Sequence, residues 1–261
     1  MTIFRHELRQ GRIGLLVWTA AISFLLGLCI LIYPEMGSQM SEMSAMFADM
    51  GSFSQAFGMD RINFGEFIGF FGVECGNVLG LGGAFFAALL GISSLAKEEK
   101  ERTAEFLLTH PVSRTGVIWE KLCAVIVQIA ILNGVAIAVT ALSILAIGET
   151  ISIKTLALLF LAYFLMQLEV AGITFGISAF LRRGSLGIGL GLAAVFYFLN
   201  IIANLTKGTE FLKYITPFGY TEGADIIADS CINPRYLALG ILFAATGIFL
   251  AFWQYRKKDI A

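Results

Sequence analysis

The chain has 261 residues, 57% hydrophobic and only 14% charged, with a mean hydropathy of +0.81. Soluble domains carry about 25% charged and 45–50% apolar residues, so too few polar side chains remain to face water and lipid is the expected solvent for most of the molecule. A net charge of −1 excludes a nucleic-acid partner recognised through bulk positive charge.

Runs of about 20 apolar residues, enough to cross a hydrocarbon core of about 30 Å at 1.5 Å per residue, occur six times. Residues 1–14 form an amphipathic N-terminal segment, and the first run follows at Leu15–Tyr33. That run ends in Tyr33-Pro34 rather than a small-residue cleavage site, so it reads as a retained helix. Pro34–Glu66 is rich in Met and Ser, and the spacing of Met43, Met46, Phe47 and Met50 predicts a short amphipathic surface helix. The second run, Phe67–Ala96, carries Gly76, Gly80, Gly83, Ala87 and Gly91 at three- and four-residue steps, a stripe suited to close packing within one subunit. Ala96–Lys121 is charged and ends its helix at Pro111, because the residue before a proline leaves the α region; Ser113 then suits the N-cap of the next helix. The remaining runs are Leu122–Ile147, Leu156–Leu181, Leu186–Leu205 (with Gly187-x-x-x-Gly191 as a packing face) and Leu237–Tyr255. Residues 206–235, between the last two, are too apolar for a free loop and too charged for a span, which predicts short broken helices dipping into the bilayer.

Thirteen of the 18 Lys and Arg fall at the N-terminus, in the second-to-third and fourth-to-fifth connections and in the tail. Cytoplasmic connections carry such an excess, so both termini are expected in the cytoplasm of a multi-pass cell-membrane protein. Four cysteines, Cys29, Cys75, Cys123 and Cys231, show no C-x-x-C spacing and predict free thiols, with no metal site.

The cytoplasmic connection reads Lys97-Glu98-Glu99-Lys100-Glu101-Arg102-Thr103-Ala104-Glu105-Phe106-Leu107-Leu108-Thr109-His110-Pro111-Val112-Ser113-Arg114, with Glu120-Lys121-Leu122 after it. Glu98 and Arg102 pair at i,i+4 on a helix whose apolar face holds Ala104, Leu107 and Leu108. On pattern alone this is either a solvated charged loop or a docking element. The run resembles the segment after the second span in permease subunits of ABC-2-type ABC transporters. Tyr214-Ile215-Thr216-Pro217-Phe218-Gly219-Tyr220 similarly resembles the Pro-Phe element of the external hairpin before their last span. The likeness extends to length and six-span layout.

The resemblance implies an all-α polytopic permease domain over 1–261, with six transmembrane helices, a cytoplasmic coupling helix at 97–114 and an external re-entrant hairpin at 206–235 carrying Pro217 and Phe218. It implies that Glu98, Glu99, Arg102, Glu105, Phe106, Leu107, Leu108, Pro111 and Arg114 dock an ABC ATP-binding subunit, helped by Thr2–Arg12. It further implies a second permease, identical or not, pairing with this one in the lipid bilayer. The sequence has no G-x-x-x-x-G-K-[ST] phosphate loop. The chain is therefore expected to be no enzyme and to bind no cofactor itself, with ATP and Mg on the partner ATPase.

His6 and His110 lie outside every run, which removes the axial ligands that a heme-bearing subunit needs. A glutamate-type intramembrane protease would want His residues in its spans, and there are none. The alternatives left open are a secondary transporter and a membrane anchor for a cytoplasmic complex. Glu74 reads as an interfacial carboxylate near the outer surface. Glu169 falls near the bilayer centre, where an acid facing lipid costs about 2.5–3.5 kcal/mol, so it should face protein or a wet cavity. With Asn77, Asn200 and Asn204, which the resemblance places on spans lining the cavity between paired permeases, it makes a candidate translocation path. Gln128 and Asn133 read as internal hydrogen-bond partners. The cargo stays open among peptides, lipids, drugs and ions.

Overall fold

The computed structural model describes residues 2–49, 51, 54–55, 63, 65–97, 113–181 and 186–257. Among them every regular element is helical. Helix α1 covers Thr2–Asp49. The next helix runs as α2 (Phe67–Cys75), a π stretch (Gly76–Leu81) and α3 (Gly82–Ser94). Then come α4 (Arg114–Ile147), α5 (Ile153–Ser178) and α6 (Leu186–Leu205). Two 3₁₀ turns, Lys207–Tyr214 and Pro217–Tyr220, and the short α7 (Gly223–Asp229) lead to α8 (Pro234–Lys257). Among the described residues, six helical stretches are long and apolar enough to cross a membrane.

Helix α5 is the axis of the bundle, with α3 on one side and α8 on the other. Missing Cβ atoms allow both approaches. A Cβ at Gly91 of α3 would lie 2.5 Å from the Ala171 carbonyl oxygen of α5, and one at Gly176 of α5 would lie 2.5 Å from the Gly247 carbonyl oxygen of α8. The predicted stripe on the second run therefore packs within the subunit. The Gly187-x-x-x-Gly191 face does not: both glycines are exposed, and α6 instead seats Gly189 on Ile92 and the Ala88 carbonyl of α3. Gly189 is two positions from each, about 200° around the helix, so it occupies the opposite face.

Pro34 does not end the first helix. Proline removes one backbone donor without forbidding continuation where neighbours brace the helix. Here Tyr33 is buried, with its ring centroid 5.1 Å from that of Phe67 and 5.3 Å from that of Phe70, and its hydroxyl donates to the Gly65 carbonyl at 2.9 Å. The backbone helix reaches Asp49 as an extension of the first span, rather than as a separate surface helix. The N-terminal segment is likewise the unbroken start of α1. Ser113 caps α4 as expected, its hydroxyl accepting from the Gly116 N–H at 3.1 Å. At the other end of α4, Gly148 takes φ +72°, a left-handed stop that its lack of Cβ permits.

Candidate functional site

Three groups of polar side chains stand out in this apolar bundle. The first lies where α1 begins and α8 ends. Lys121, 1% exposed, donates to Glu7 Oε1 at 2.7 Å, and the Phe4 N–H donates to Glu120 Oε2 at 2.9 Å. Arg114 donates to the Arg256 carbonyl at 3.2 Å. Trp119 meets Phe252 edge to face at 5.3 Å, and Lys257 lies 4.3 Å from the Trp253 ring centroid. Leu95, Val117, Ile118, Phe175, Ala251 and Tyr255 pack beneath these contacts. The helices flanking the predicted coupling segment thus root in one rigid platform. Arg114 belongs to it, whereas Glu98, Glu99, Arg102, Glu105, Phe106, Leu107, Leu108 and Pro111 lie outside the described residues.

The second group lies toward the opposite end, between the π stretch, α5, α6 and the turn before α7. Asn200 and Asn204 are one helical turn apart, so both amides point the same way. Their Nδ2 groups donate to Glu222 Oε1 at 2.5 and 2.6 Å. The Tyr197 hydroxyl donates to Asn77 Oδ1 at 3.3 Å, and Phe218 meets the Tyr197 ring edge to face at 5.5 Å. Asn77, Tyr197, Asn200, Phe218 and Glu222 line a cavity of about 50 Å³ that Tyr163 also reaches. Asn77 sits in the π stretch, whose wider turn re-aims side chains and loosens the carbonyl ladder. The Leu79 carbonyl there accepts from Gln167 Nε2 at 3.3 Å, and Gln167 Oε1 accepts from Asn133 at 2.6 Å, tying the second, third and fourth spans together. Gln128 donates within its own helix to the Ala124 carbonyl at 3.2 Å.

Glu169 forms a third, separate group. Two residues from Gln167, it emerges on the opposite face of α5, where it is 3% exposed and Oε2 accepts from the Tyr220 hydroxyl at 3.0 Å. Burial first, and then the adjacent Glu169, push the Tyr220 phenol above its usual range, so it remains a donor. Gly240 makes room: a Cβ there would fall 2.1 Å from Glu169 Oε2. Glu169 forms part of the wall of an apolar cleft of about 290 Å³ between α4, α5 and α8. The predicted path residues therefore divide, with Asn77, Asn200 and Asn204 together and Glu169 behind them.

The segment before α8 folds back against the bundle. The Thr216 hydroxyl donates to the Phe196 carbonyl at 2.7 Å and accepts from the Phe218 N–H at 3.3 Å, while Pro217 opens the turn with its fixed φ. A Cβ at Gly219 would meet the Lys213 carbonyl at 2.2 Å. Gly223 packs its backbone on Gly72 of α2, and Lys213 lies 3.6 Å from Asp225. The Cys29 thiol contacts Glu74 Oε2 at 3.8 Å, giving the half-buried carboxyl a protein neighbour, and all four cysteines are free.

Glu222, Tyr163, Tyr197 and Tyr220 are site residues that the sequence reading omitted. The i,i+4 pair Asn200 and Asn204 is the signal in the sequence for an acceptor facing α6; Tyr163 and Tyr197, in apolar runs, read as core, and Tyr220 reads only as the end of the Pro-Phe element. Among the described residues no group of three or more His, Cys, Asp or Glu side chains could hold a metal. No curated protein gives a significant match to the chain. The family model described as "ABC-2 family transporter protein" matches residues 1–260. With six helices among the described residues long and apolar enough to cross a membrane, that match over nearly the whole chain means that it belongs to the ABC-2 family of transporter proteins.

Proposed function

We propose that this multi-pass permease is the translocating half of an ATP-driven exporter, paired with a second permease and powered by separate ATP-binding subunits. The family match carries the reading, and the sequence, without a phosphate loop, assigns hydrolysis to another chain. The coupling element is 97–114, docking through Phe106, Leu107 and Leu108 with charged residues around them. The platform built by Glu7, Lys121, Glu120 and Arg114 supports this role, because a push on the segment would reach the first, third and sixth spans through short polar contacts. ATP-driven closure of the ATPase pair would then rock the permease pair between inward- and outward-open states, a rigid-body transition worked through an interface.

In the bilayer, both termini face the cytoplasm, as the distribution of Lys and Arg indicates, and residues 206–235 re-enter from outside. Helix α6 supplies the pairing surface: Gly187, Gly191, Val195, Phe198 and Ile202 recur at three- and four-residue steps and are all exposed. Small residues on such a stripe let two helices approach closely. The Asn77–Asn200–Asn204–Glu222 group lies at the opposite, inward face of α6 and supplies polar lining to the path from within each permease. Co-expression with an ATP-binding subunit tests the assignment: ATP hydrolysis should appear in the purified complex and rise with cargo. A complex that never forms with such a subunit would refute it.

A further inference from the structure

We propose that the cleft between α4, α5 and α8 binds a single-chain amphiphile bearing a primary ammonium group, its chain along the apolar walls and its head at Glu169. The walls are made by Val125, Ile126, Leu168, Ile241 and Ala244, and Ile126 and Ile241 are exposed on the side that a bilayer would cover. At about 290 Å³ the space lies near the lower bound of ligand-sized pockets. Apolar walls alone would accept any acyl chain. Glu169 makes the choice, because among the described residues no Lys, Arg or His lines the cleft to balance it.

The Tyr220 hydroxyl is the one hydrogen-bond donor to this carboxyl among the described residues, and it serves Oε2. A carboxylate in low dielectric gains most from a partner that brings both charge and N–H donors. A primary ammonium brings three donors, a quaternary ammonium brings none, and an alcohol brings one without charge. The backbone makes room for the acid as well: a Cβ at Gly240 of α8 would fall against the Glu169 carboxyl. Binding at this cleft needs no ATP-binding partner, so it stands or falls apart from the transport reading.

The test uses the full chain in phosphatidylcholine nanodiscs, with radiolabelled dodecylamine, dodecanol and dodecanoate as probes and empty nanodiscs as the partition background. Dodecylamine should bind saturably at one site per chain, about tenfold or more tighter than dodecanol, since one charge-assisted hydrogen bond is worth about 1.5–3 kcal/mol. Dodecanoate should show no saturable site. Glu169→Gln should bring dodecylamine to the level of dodecanol. Ile241→Trp should fill the cleft and remove the site, whereas Leu242→Trp, on an exposed residue that does not line it, should retain it. Equal binding of all three probes, dodecylamine binding unchanged in Glu169→Gln, or no saturable site in the wild type because a second copy covers the cleft, would each overturn the proposal. Should Glu169→Gln fail to fold, the headgroup comparison in the wild type and the Trp pair still decide.

Discussion

At the residue scale, the Glu169 pocket depends on what Gly240 lacks. Gly240→Ala would drive a methyl group into the carboxyl, and overpacking of this kind costs about 1–3 kcal/mol. Gly134→Ala on α4 meets nothing within 4 Å and should be neutral or slightly stabilising, because alanine favours helix by about 0.5–1 kcal/mol over glycine. Thermal unfolding of the two variants in detergent should separate them, with only the first losing several degrees. Glu169 itself should tolerate Gln better than Leu or Lys. Gln still accepts from Tyr220; Leu strands a buried hydroxyl; Lys adds a charge where burial is expensive. Expression level and thermal stability together provide the measurement, and a Leu variant as stable as wild type would mean that the bond to Tyr220 contributes nothing.

At the element scale, α5 is held between α3 and α8 by backbone approaches that admit no Cβ. Gly176→Val should part α5 from α8, since the obstacle is the Gly247 carbonyl rather than a movable side chain. The loss should be severe, visible as collapsed expression or aggregation in detergent. Gly191→Val, on the exposed face of α6, should leave the monomer's fold and expression intact. The six spans and the N-cap at Ser113 were legible because length and composition determine whether a segment can cross lipid. The path of α1 through Pro34 was not, since it depends on Tyr33 meeting Phe67 and Phe70 from a distant part of the chain. Nor could the glycine spacing of α6 reveal which face packs, because Gly187, Gly189 and Gly191 are all present and only the neighbour α3 chooses among them.

At the scale of the whole molecule, the polar groups divide between the two ends and one flank of the bundle, which is why the four path residues do not form one site. Sequence could nominate Glu169 by its cost in lipid and Asn77 through the family resemblance, but the direction in which each faces is set by helix packing. The topology has its own check in intact cells: in single-cysteine variants, a membrane-impermeant thiol reagent should label exposed Cys231 and spare Cys123, and the reverse pattern would invert the layout. The central claim, that an ATPase drives this permease through 97–114, is tested most directly by changing the apolar anchors alone. Leu107→Ser with Leu108→Ser lies outside every span, so the protein should still insert, while loss of a packed anchor typically costs about 2 kcal/mol or more of association. Co-purification with the ATP-binding subunit followed by cargo-stimulated ATP hydrolysis gives the measurement. The account predicts a weakened complex and lost stimulation; full association with full coupled hydrolysis would contradict it.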